Sequence, residues 1–394
     1  MIKVVHIITG LEADGAETVL YTVASRMDRS RFESEVISLI EPGPMAAHLE
    51  SAGIRVRSLG MKRGSANPLQ VLRLARWIKQ SQPNLVQTWM YHADLLGGIA
   101  ARLAGKPVVW GIHHSNLEPA QNKRLTIWTA RICEVLSPWV PKRIVCCSEA
   151  SRITHTEFGY DDEKMEVIQN GFDLRAFQPN AEARQSLRKE LGLAEQTPLI
   201  GMAGRFHVQK GQRNFVQAAA QLHARMPEVH FVLCGTDIDA NNAELTGWIE
   251  RFGYELHKVT HLLGRRTDMS RIFAALDVAT SASLSEAFPM AVGEAMACGT
   301  PCVVTNVGDS ALIVGDAGKV VPAEDPQALA HAWQSLLAAA PSARKELGRA
   351  ARNRIQQCFD VDAIVARYQK LYREVLALSD PSSAQHSSVA PLVG

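Results

Sequence analysis

The sequence is short of the features that mark secreted, membrane-spanning and nucleic-acid-binding proteins. Its 394 residues contain only seven cysteines, 6% aromatic side chains and a net charge of +2. No apolar run approaches the ~20 residues of a membrane-spanning helix, and the apolar run after Met1 is too short for a secretory signal peptide. A charge this close to zero argues against nucleic acid as a partner. We therefore expect a cytoplasmic protein that is at most peripheral to a membrane.

The cysteines form neither a disulfide framework nor a zinc motif. Most lie in apolar segments, as reduced and buried thiols do. Cys298 and Cys302 flank a turn, but no second cysteine pair or histidine cluster accompanies them. The cysteine pattern therefore predicts no metal centre.

The length and the order of apolar segments predict two α/β domains. A chain of 394 residues is too long for one ordinary core. Short apolar runs typical of buried strands begin at Val4, Val36, Arg55, Leu85, Val108, Arg143 and Met165, and again at Pro198, Val229, Val278, Cys302 and Lys319. Segments with helical periodicity separate them, and this alternation predicts parallel, doubly wound sheets.

Changes in composition set the expected domain boundaries. Asn180 to Glu195 is polar and indicates a linker followed by a surface helix. We therefore expect a first domain over 1–175 and a second over 176–360. A final helix over 361–378 follows, and the serine-rich segment 379–394 predicts a disordered tail.

One stretch of the second half, Ser283 to Pro301, carries two carboxylates in a strand–helix–strand unit. Pro289 suits a first helical turn, and Gly299 with Pro301 marks the end of the helix. Ligands of such units lie beyond the carboxyl ends of the strands, where helix N–H groups attract an anion. A phosphate there would leave Glu286 and Glu294 on either side of it for sugar hydroxyls.

The spacing of Glu286 and Glu294, followed by Ala-Met-Ala-Cys-Gly-Thr-Pro, resembles the signature of the retaining glycosyltransferases of family 4, also called glycosyl transferases group 1. The family has the GT-B fold, in which two Rossmann-like domains face each other across a cleft. The resemblance extends over nearly all of 1–378. Two departures are Ala287, where the family most often has glycine, and Gly308-Asp309, where it usually has two glycines.

A second motif, Gly204-Arg205 with Lys210-Gly211, also matches the family. Two cations five positions apart at a strand end can straddle a diphosphate, the arginine as a fork and the lysine as a point charge. The resemblance implies that Arg205 and Lys210 neutralise charge on the leaving diphosphate. It also implies that Glu294 binds the ribose and Glu286 orients the donor sugar. The phosphates would lie at the helix start, which is formed by Phe288, Pro289, Met290 and Ala291.

The first domain contains further positions whose roles can be predicted only from the family resemblance. The loop after the first strand has Gly15 and Ala16, which would face the donor phosphates and the acceptor, although Asp14 replaces a usual glycine. His113 follows a strand end and aligns with a family histidine beside the donor sugar. Gln87 and Trp89 stand where many relatives have His-x-His.

Asp237-Ile-Asp239 is the one motif that would favour a metal. GT-A glycosyltransferases use such a tripeptide to hold a divalent ion under the diphosphate. Here it follows a strand of the second domain, where GT-B relatives have a loop. We therefore expect it to be incidental, with no metal and no other cofactor.

Charge is uneven along the chain. Residues 51–150 contain 14 basic and four acidic side chains, a balance of +10. Solvated helix faces would explain this excess. The alternative is attraction to an anionic membrane surface, worth ~1 kcal/mol per basic residue close to it.

The resemblance predicts a glycosyltransferase of the hexosyl or N-acetylhexosaminyl type. It would move a sugar, with retention, from a nucleotide-sugar donor, most simply UDP-linked. The acceptor would be a glycan or a polyprenyl-phosphate-linked glycan of bacterial polysaccharide or cell-surface synthesis. One alternative is a GT-B nucleotide-sugar epimerase, which would release the nucleotide diphosphate without an acceptor. Another is a non-catalytic sugar-nucleotide-binding subunit, against which the intact motif residues count.

Overall fold

The computed structural model describes residues 1–12, 15–62, 68–118, 122–253 and 256–379 and divides the chain into two compact units. The first comprises Met1–Gly171 together with the chain from Asp362, and the second is Phe172–Val361. The first boundary thus falls four residues before the predicted one at 175. The predicted tail lies outside the described residues except for Ser379, which ends the last helix.

The first unit is built on a parallel sheet of seven strands. In chain order the strands are β1 Ile2–Ile8, β2 Phe32–Ser38, β3 Arg55–Ser58, β4 Leu85–Trp89, β5 Val108–Ile112, β6 Arg143–Cys146 and β7 Met165–Val167. Their order across the sheet is β3-β2-β1-β4-β5-β6-β7. The chain first adds strands on one side of β1 and then, from β4 onward, on the other side. This change of side between β1 and β4 is the topological switch point, where doubly wound sheets bind ligands.

Helices cover this sheet. They are α1 Gly15–Arg26, α2 Met45–Ser51, α3 Pro68–Ser81, α4 Tyr91–Leu103, α5 Arg124–Leu136 and α6 Glu149–Phe158. Strands and helices bury a continuous core that includes Ile7, Val86 and Trp110. The side chain of Ser148 caps α6 by accepting a hydrogen bond from the Ser151 amide.

The second unit repeats the plan with six parallel strands. They are β8 Leu199–Ala203, β9 His230–Cys234, β10 Thr260–Leu262, β11 Val278–Ser281, β12 Cys302–Thr305 and β13 Gly318–Val321. Their order is β10-β9-β8-β11-β12-β13. The predicted doubly wound α/β class is therefore confirmed in both units, although the short edge strand β10 was not predicted.

The helices of the second unit are α7 Ala181–Glu190, α8 Gln212–His223, α9 Ala243–Phe252, α10 Leu256–Val259, α11 Met269–Ala275, α12 Met290–Ala297, α13 Ser310–Val314, α14 Pro326–Ala338 and α15 Pro341–Cys358. The last helix, α16 Val361–Ser379, packs on the first unit. There Tyr368 stacks near Trp89 and Tyr372 lies against Phe32.

No helix in the described part of the chain is long and apolar enough to cross a membrane. The cysteines form no disulfide, and all but Cys358 are buried.

The polar segment predicted to be a linker and surface helix contains a buried charge. Arg188 on α7 is 1% exposed and donates to the carboxylate of Asp277 at 2.8 Å. The same carboxylate oxygen accepts the Leu199 amide at 2.9 Å, and Arg184 binds the other oxygen at 3.0 Å. This ion pair ties α7 to the start of β8.

Removing Asp277 should destabilise the second domain strongly. Asp277→Ala leaves the Arg188 charge buried without its carboxylate, which typically costs about 3–5 kcal/mol. Urea unfolding followed by circular dichroism measures the loss. Glu195→Gln is the matched control, because this exposed partner of Arg184 should be worth less than about 1 kcal/mol. Similar losses in the two variants would contradict the buried-pair interpretation.

Candidate active site

Two loops of the second unit meet beyond the carboxyl ends of β8 and β11. The amide of Leu284 donates to the carbonyl of Gln209 at 2.7 Å. Gly211 makes this approach possible. Its φ of +69° is left-handed, and a Cβ there would collide with the Ala282 carbonyl. The close contact at this position requires glycine, so the motif glycine at 211 has a steric reason.

The meeting of these loops joins two of the predicted site residues. The Lys210 ammonium lies 2.6 Å from Oε1 of Glu286. The hydroxyl of Ser283 donates to the same oxygen at 2.7 Å. Glu286 is 11% exposed and Lys210 29%. The carboxylate is thus held by a cation and a hydroxyl in a largely dehydrated position.

A third loop closes over the Glu286 backbone. Gly308 has φ +53°, and a Cβ there would strike the carbonyl of Glu286. The amide of Asp309 donates to the Ala287 carbonyl at 3.1 Å. Glycine at 308 therefore lets this loop lie against the Glu286 backbone. The departure from the family's Gly-Gly pair is at Asp309, where this close contact does not require glycine.

Helix α12 begins one residue later than predicted. Pro289 is the N-cap with an extended backbone, and the helix starts at Met290. No side chain caps the first turn, so its N–H groups are not used by a capping residue. Met290 and Ala291 are partly exposed at this end.

The side chain of Phe288 is not placed to contact a ligand. It is 5% exposed and packs against Phe172 and Phe359, with ring centroids 5.9 and 5.6 Å away. Its predicted binding role would have to come from its backbone amide. The ring instead anchors the loop ahead of α12.

Glu294 lies in the second turn of α12, partly buried. Burial raises the pKa of its carboxyl to about 7. At neutral pH this group is therefore divided between its charged and neutral forms.

Arg205 has an exposed side chain, while its carbonyl accepts the Gln212 amide at 2.8 Å. The Asp237-Ile-Asp239 loop follows β9. There Asp239 accepts the Asn241 amide at 2.8 Å and Asp237 has φ +59°. Across the residues that the structure describes, no three histidine, cysteine or acidic side chains cluster as metal ligands.

In the first unit, His113 follows β5 inside a stack of rings. Trp89, at the end of β4, stacks on it with centroids 5.1 Å apart and planes at 25°. The indole N–H of Trp89 points to Nδ1 of His6 at 3.3 Å, and Tyr368 stacks on the indole at 6.1 Å. Nε2 of His113 is buried and has no hydrogen-bond partner among the described residues.

Burial lowers the pKa of His113 to about 4 and that of His6 to about 3. Both imidazoles are therefore neutral at physiological pH. His113 can offer a neutral hydrogen-bonding nitrogen to a ligand, but no positive charge.

Asp94 joins the ends of β4 and β5 beside this stack. It is 1% exposed, accepts the Thr88 hydroxyl at 2.6 Å and accepts the Gly111 amide at 3.3 Å. Burial raises the pKa of this carboxyl to about 8. At pH 7 the Asp94 carboxyl is therefore mainly neutral, and in that form it links the ends of β4 and β5.

The other predicted residues of this unit lie at the start of α1. Gly15 is the first residue of the helix and exposed, with no heavy atom within 4 Å of an added Cβ. Ala16 follows it and is partly exposed. Asp14, the predicted departure from the family loop, lies outside the described residues.

Two models of glycosyltransferase families match this chain, one in each half. Residues 197–339 match the family described as glycosyl transferases group 1. Residues 13–176 match the family described as glycosyltransferase family 4. This chain belongs to the family 4 glycosyltransferases.

Curated relatives and solved structures extend along most of this glycosyltransferase. The UDP-Gal:alpha-D-GlcNAc-diphosphoundecaprenol alpha-1,3-galactosyltransferase of Escherichia coli is 28% identical over 79% of this chain and 81% of its own length. A D-inositol 3-phosphate glycosyltransferase of Xylanimonas cellulosilytica is 27% identical over 86% of this chain and 82% of its own. The crystal structure of HepE from Anabaena in complex with UDP-glucose has a TM-score of 0.82 at 24% identity, covering 95% of this chain and 100% of that one. The fold of the glycosyltransferase is GT-B.

Sequence reasoning missed two residues of the glycosyltransferase that hold the predicted ones in place. They are Ser283, which binds Glu286, and Asp94, which joins two strand ends. It noted Trp89 as a departure from the family, but not that Trp89 stacks on His113. For Asp94 a signal existed, since an acid flanked by Ala93 and Leu95 in a helix-period segment is a poor candidate for a solvated face.

The buried Asp94 carboxyl should make the stability of the glycosyltransferase fall as pH rises. Its pKa of about 8 in the folded protein exceeds the ~3.9 of an unfolded chain. The contribution of Asp94 to the free energy of unfolding is therefore fully present below pH ~4. It is lost as the pH rises towards 8, at up to about 1.4 kcal/mol per pH unit. Denaturant unfolding between pH 5 and about 8 measures this slope.

Asp94→Asn provides the control, because the amide retains an acceptor for Thr88 and Gly111 but cannot ionise. The slope should be smaller in this variant than in the wild type. Identical slopes would show that Asp94 does not bind its proton in the folded state.

Proposed function

We propose that this enzyme transfers a sugar from a nucleotide-sugar donor, of the UDP-linked type, to a glycan or polyprenyl-phosphate-linked acceptor with retention of configuration. The observation that carries the proposal is the Lys210–Glu286–Ser283 network beside the uncapped start of α12. Two similar proteins support a uridine donor, because one is named for UDP-Gal and the other was solved with UDP-glucose. The diphosphoundecaprenol-linked acceptor named for the E. coli relative supports a role in cell-surface glycan synthesis.

The donor diphosphate would lie between Lys210, Arg205 and the first turn of α12. Lys210 is held at a strand end by its contact with Glu286, so it is pre-positioned to meet a second anion. Exposed Arg205 can rotate to bind phosphate oxygens as a fork. The helix adds N–H groups and a partial charge of about +0.5 at its N-terminus. Together these groups would stabilise the charge that builds on the leaving diphosphate.

Glu286 would orient the donor sugar. Lys210 and Ser283 both bind its Oε1, and these contacts hold the carboxylate beside the proposed diphosphate position. Retention follows the family, in which the leaving phosphate helps to deprotonate the acceptor hydroxyl. On the acceptor-side domain, the neutral Nε2 of His113 would accept or donate one hydrogen bond to the sugar.

We also propose that no divalent ion takes part. Arg205 and Lys210 supply two full charges, and the α12 dipole adds about half a charge. A divalent ion opposite the same diphosphate would contribute little beyond them. The Asp237-Ile-Asp239 loop would then have no part in the reaction.

Replacing either motif cation should slow transfer without unfolding the protein. Arg205→Ala and Lys210→Ala should each raise the barrier by around 2–4 kcal/mol, the scale of losing a preorganised charge stabiliser. The measurement is turnover with UDP-glucose, UDP-galactose and their N-acetylhexosamine analogues in the presence of EDTA. Proton NMR of the product should show the donor's anomeric configuration.

Asp237→Ala/Asp239→Ala is the control for the metal question and should change activity little. Near-normal turnover in both cation variants would remove the diphosphate role. Loss of wild-type activity in EDTA with rescue by manganese, or an inverted linkage, would contradict the mechanism. Release of nucleotide diphosphate with a changed sugar and no acceptor would instead indicate an epimerase.

Donor binding should depend on the charge of Glu294. The pKa of this carboxyl is raised to about 7 by burial, and accepting hydrogen bonds from a ribose diol favours the ionised form. Affinity for UDP-glucose should therefore fall about tenfold between pH 8 and pH 6, following the ionised fraction. Isothermal titration calorimetry measures it, and UDP-glucose is the chosen ligand because its diphosphate diester does not titrate in this range.

Glu294→Gln should bind more weakly and show a flatter pH profile. A wild-type profile as flat as that of the glutamine variant would mean that Glu294 does not contact the donor. The same titration in buffers of different ionisation enthalpy should detect proton release on binding near pH 6.

A further inference from the structure

Helix α5 of the first unit has apolar side chains on the side that faces solvent. Leu125, Trp128, Ile132 and Val135 are all exposed, and they recur at spacings of three, four and three residues. This spacing puts them on one stripe of the helix. Trp139 extends the stripe from the turn that follows. We call these five residues the α5 stripe.

The exposure of the α5 stripe is large for a water-facing surface. Trp128 is 69% exposed and Trp139 is 67% exposed. The opposite side of the helix is also apolar, because Ala130 and Cys133 are buried against the domain. Contiguous exposed apolar surface of this kind marks an interaction site.

The exposed charges on and just before α5 are basic, and the one acid of the helix, the partly buried Glu134, pairs with Arg131 at 3.5 Å. Within Arg124–Leu136 every exposed residue is either apolar or an arginine, the latter being Arg124 and Arg131. Lys123 is exposed just before the helix. The neighbouring layer is similar: α3 packs on α4 and α4 on α5, and α3 exposes Leu72, Arg76 and Lys79.

This combination selects one occupant. A two-fold contact with a second copy would use the same basic patch on both partners. Like charges that face each other across an interface cost several kcal/mol of binding free energy. An anionic bilayer satisfies both features, because tryptophans favour the membrane–water interface and basic residues bind anionic head groups. Amphipathic helices of this composition lie in the plane of that interface.

We propose that the α5 stripe, with Lys123 and Arg124 beside it, is a docking face for the surface of an anionic lipid bilayer. The stripe would enter the head-group region while the cations bind lipid phosphates. Because α5 follows the strand that ends at His113, docking would hold the domain expected to receive the acceptor against the lipid surface. The proposal does not depend on the donor site in the second domain.

Flotation of the full-length protein with phosphatidylcholine vesicles, with and without phosphatidylglycerol, tests the proposal. Wild-type protein should float with the anionic vesicles at about 0.05 M salt and much less at about 0.5 M, because salt screens exposed charges. Trp128→Ala/Trp139→Ala should weaken the partition coefficient at least about tenfold, the scale of losing one buried large apolar side chain. Lys123→Gln/Arg124→Gln should weaken it about fivefold per cation.

Matched changes in the second domain serve as controls. Lys345→Gln/Arg349→Gln removes two other exposed cations and should leave flotation unchanged. UDP-glucose binding should be the same in all of these variants, and its absence throughout would count against the proposed function and not against docking.

Three outcomes would overturn the docking proposal. The first is unchanged flotation of the double tryptophan variant. The second is equal binding of the wild type to neutral and anionic vesicles. The third is a wild-type dimer in analytical ultracentrifugation that the tryptophan variant dissolves while no vesicle binding is seen, because the stripe would then be an interface between copies.

Discussion

The contact between Lys210 and Glu286 is the constraint on which the rest of the second-domain site depends. A cation and a carboxylate 76 positions apart meet at 2.6 Å in a largely buried position. Such a pair repays its desolvation only when its geometry is fixed. The backbone fixes it, since Gly211 and Gly308 allow neighbouring loops to approach within van der Waals distance. In the proposed reaction the site would thus be organised before the donor binds, as electrostatic catalysis requires, because its effect depends on charges that need not reorganise.

Burial decides which of the other polar groups carry charge. His113 is neutral because its pKa is lowered to about 4, and Asp94 is mainly neutral because its pKa is raised to about 8. The ends of β4 and β5 are therefore polar but nearly uncharged. The second-domain site contrasts with this, because it contains two basic side chains, the partly buried Lys210 and the exposed Arg205. In the proposed reaction the donor diphosphate would lie beside these cations.

The alternation of apolar and helical segments was sufficient to predict both parallel sheets, because each strand is buried and its signal is local. Long-range pairing was not predictable. Arg188 resembled a solvated helix residue because its partner, Asp277, lies 89 positions away. Phe288 resembled a binding residue because it stands inside the motif, yet it packs in an aromatic cluster. The family resemblance brought out the residues that would touch the donor, whereas the positioning role of Trp89 and of other residues became visible only through contacts between distant parts of the chain.

The basic excess of residues 51–150 is a second case in which the sequence alone does not reveal the role of the residues. A count of charges cannot tell a solvated face from a binding face, and the sequence of α5 hides the difference further. Its apolar residues occupy two stripes, one buried and one exposed, so periodicity alone would assign both to the core. The structure separates them, because Cys133 is enclosed by the domain and Trp128 is not. Glu134 pairs with Arg131, whereas Lys123 and Arg124 are exposed at the start of α5, so the apolar stripe and this positive charge lie on one surface. Hydrophobic and electrostatic attraction then act toward the same partner, and that coincidence is what separates a lipid-facing surface from a merely basic one.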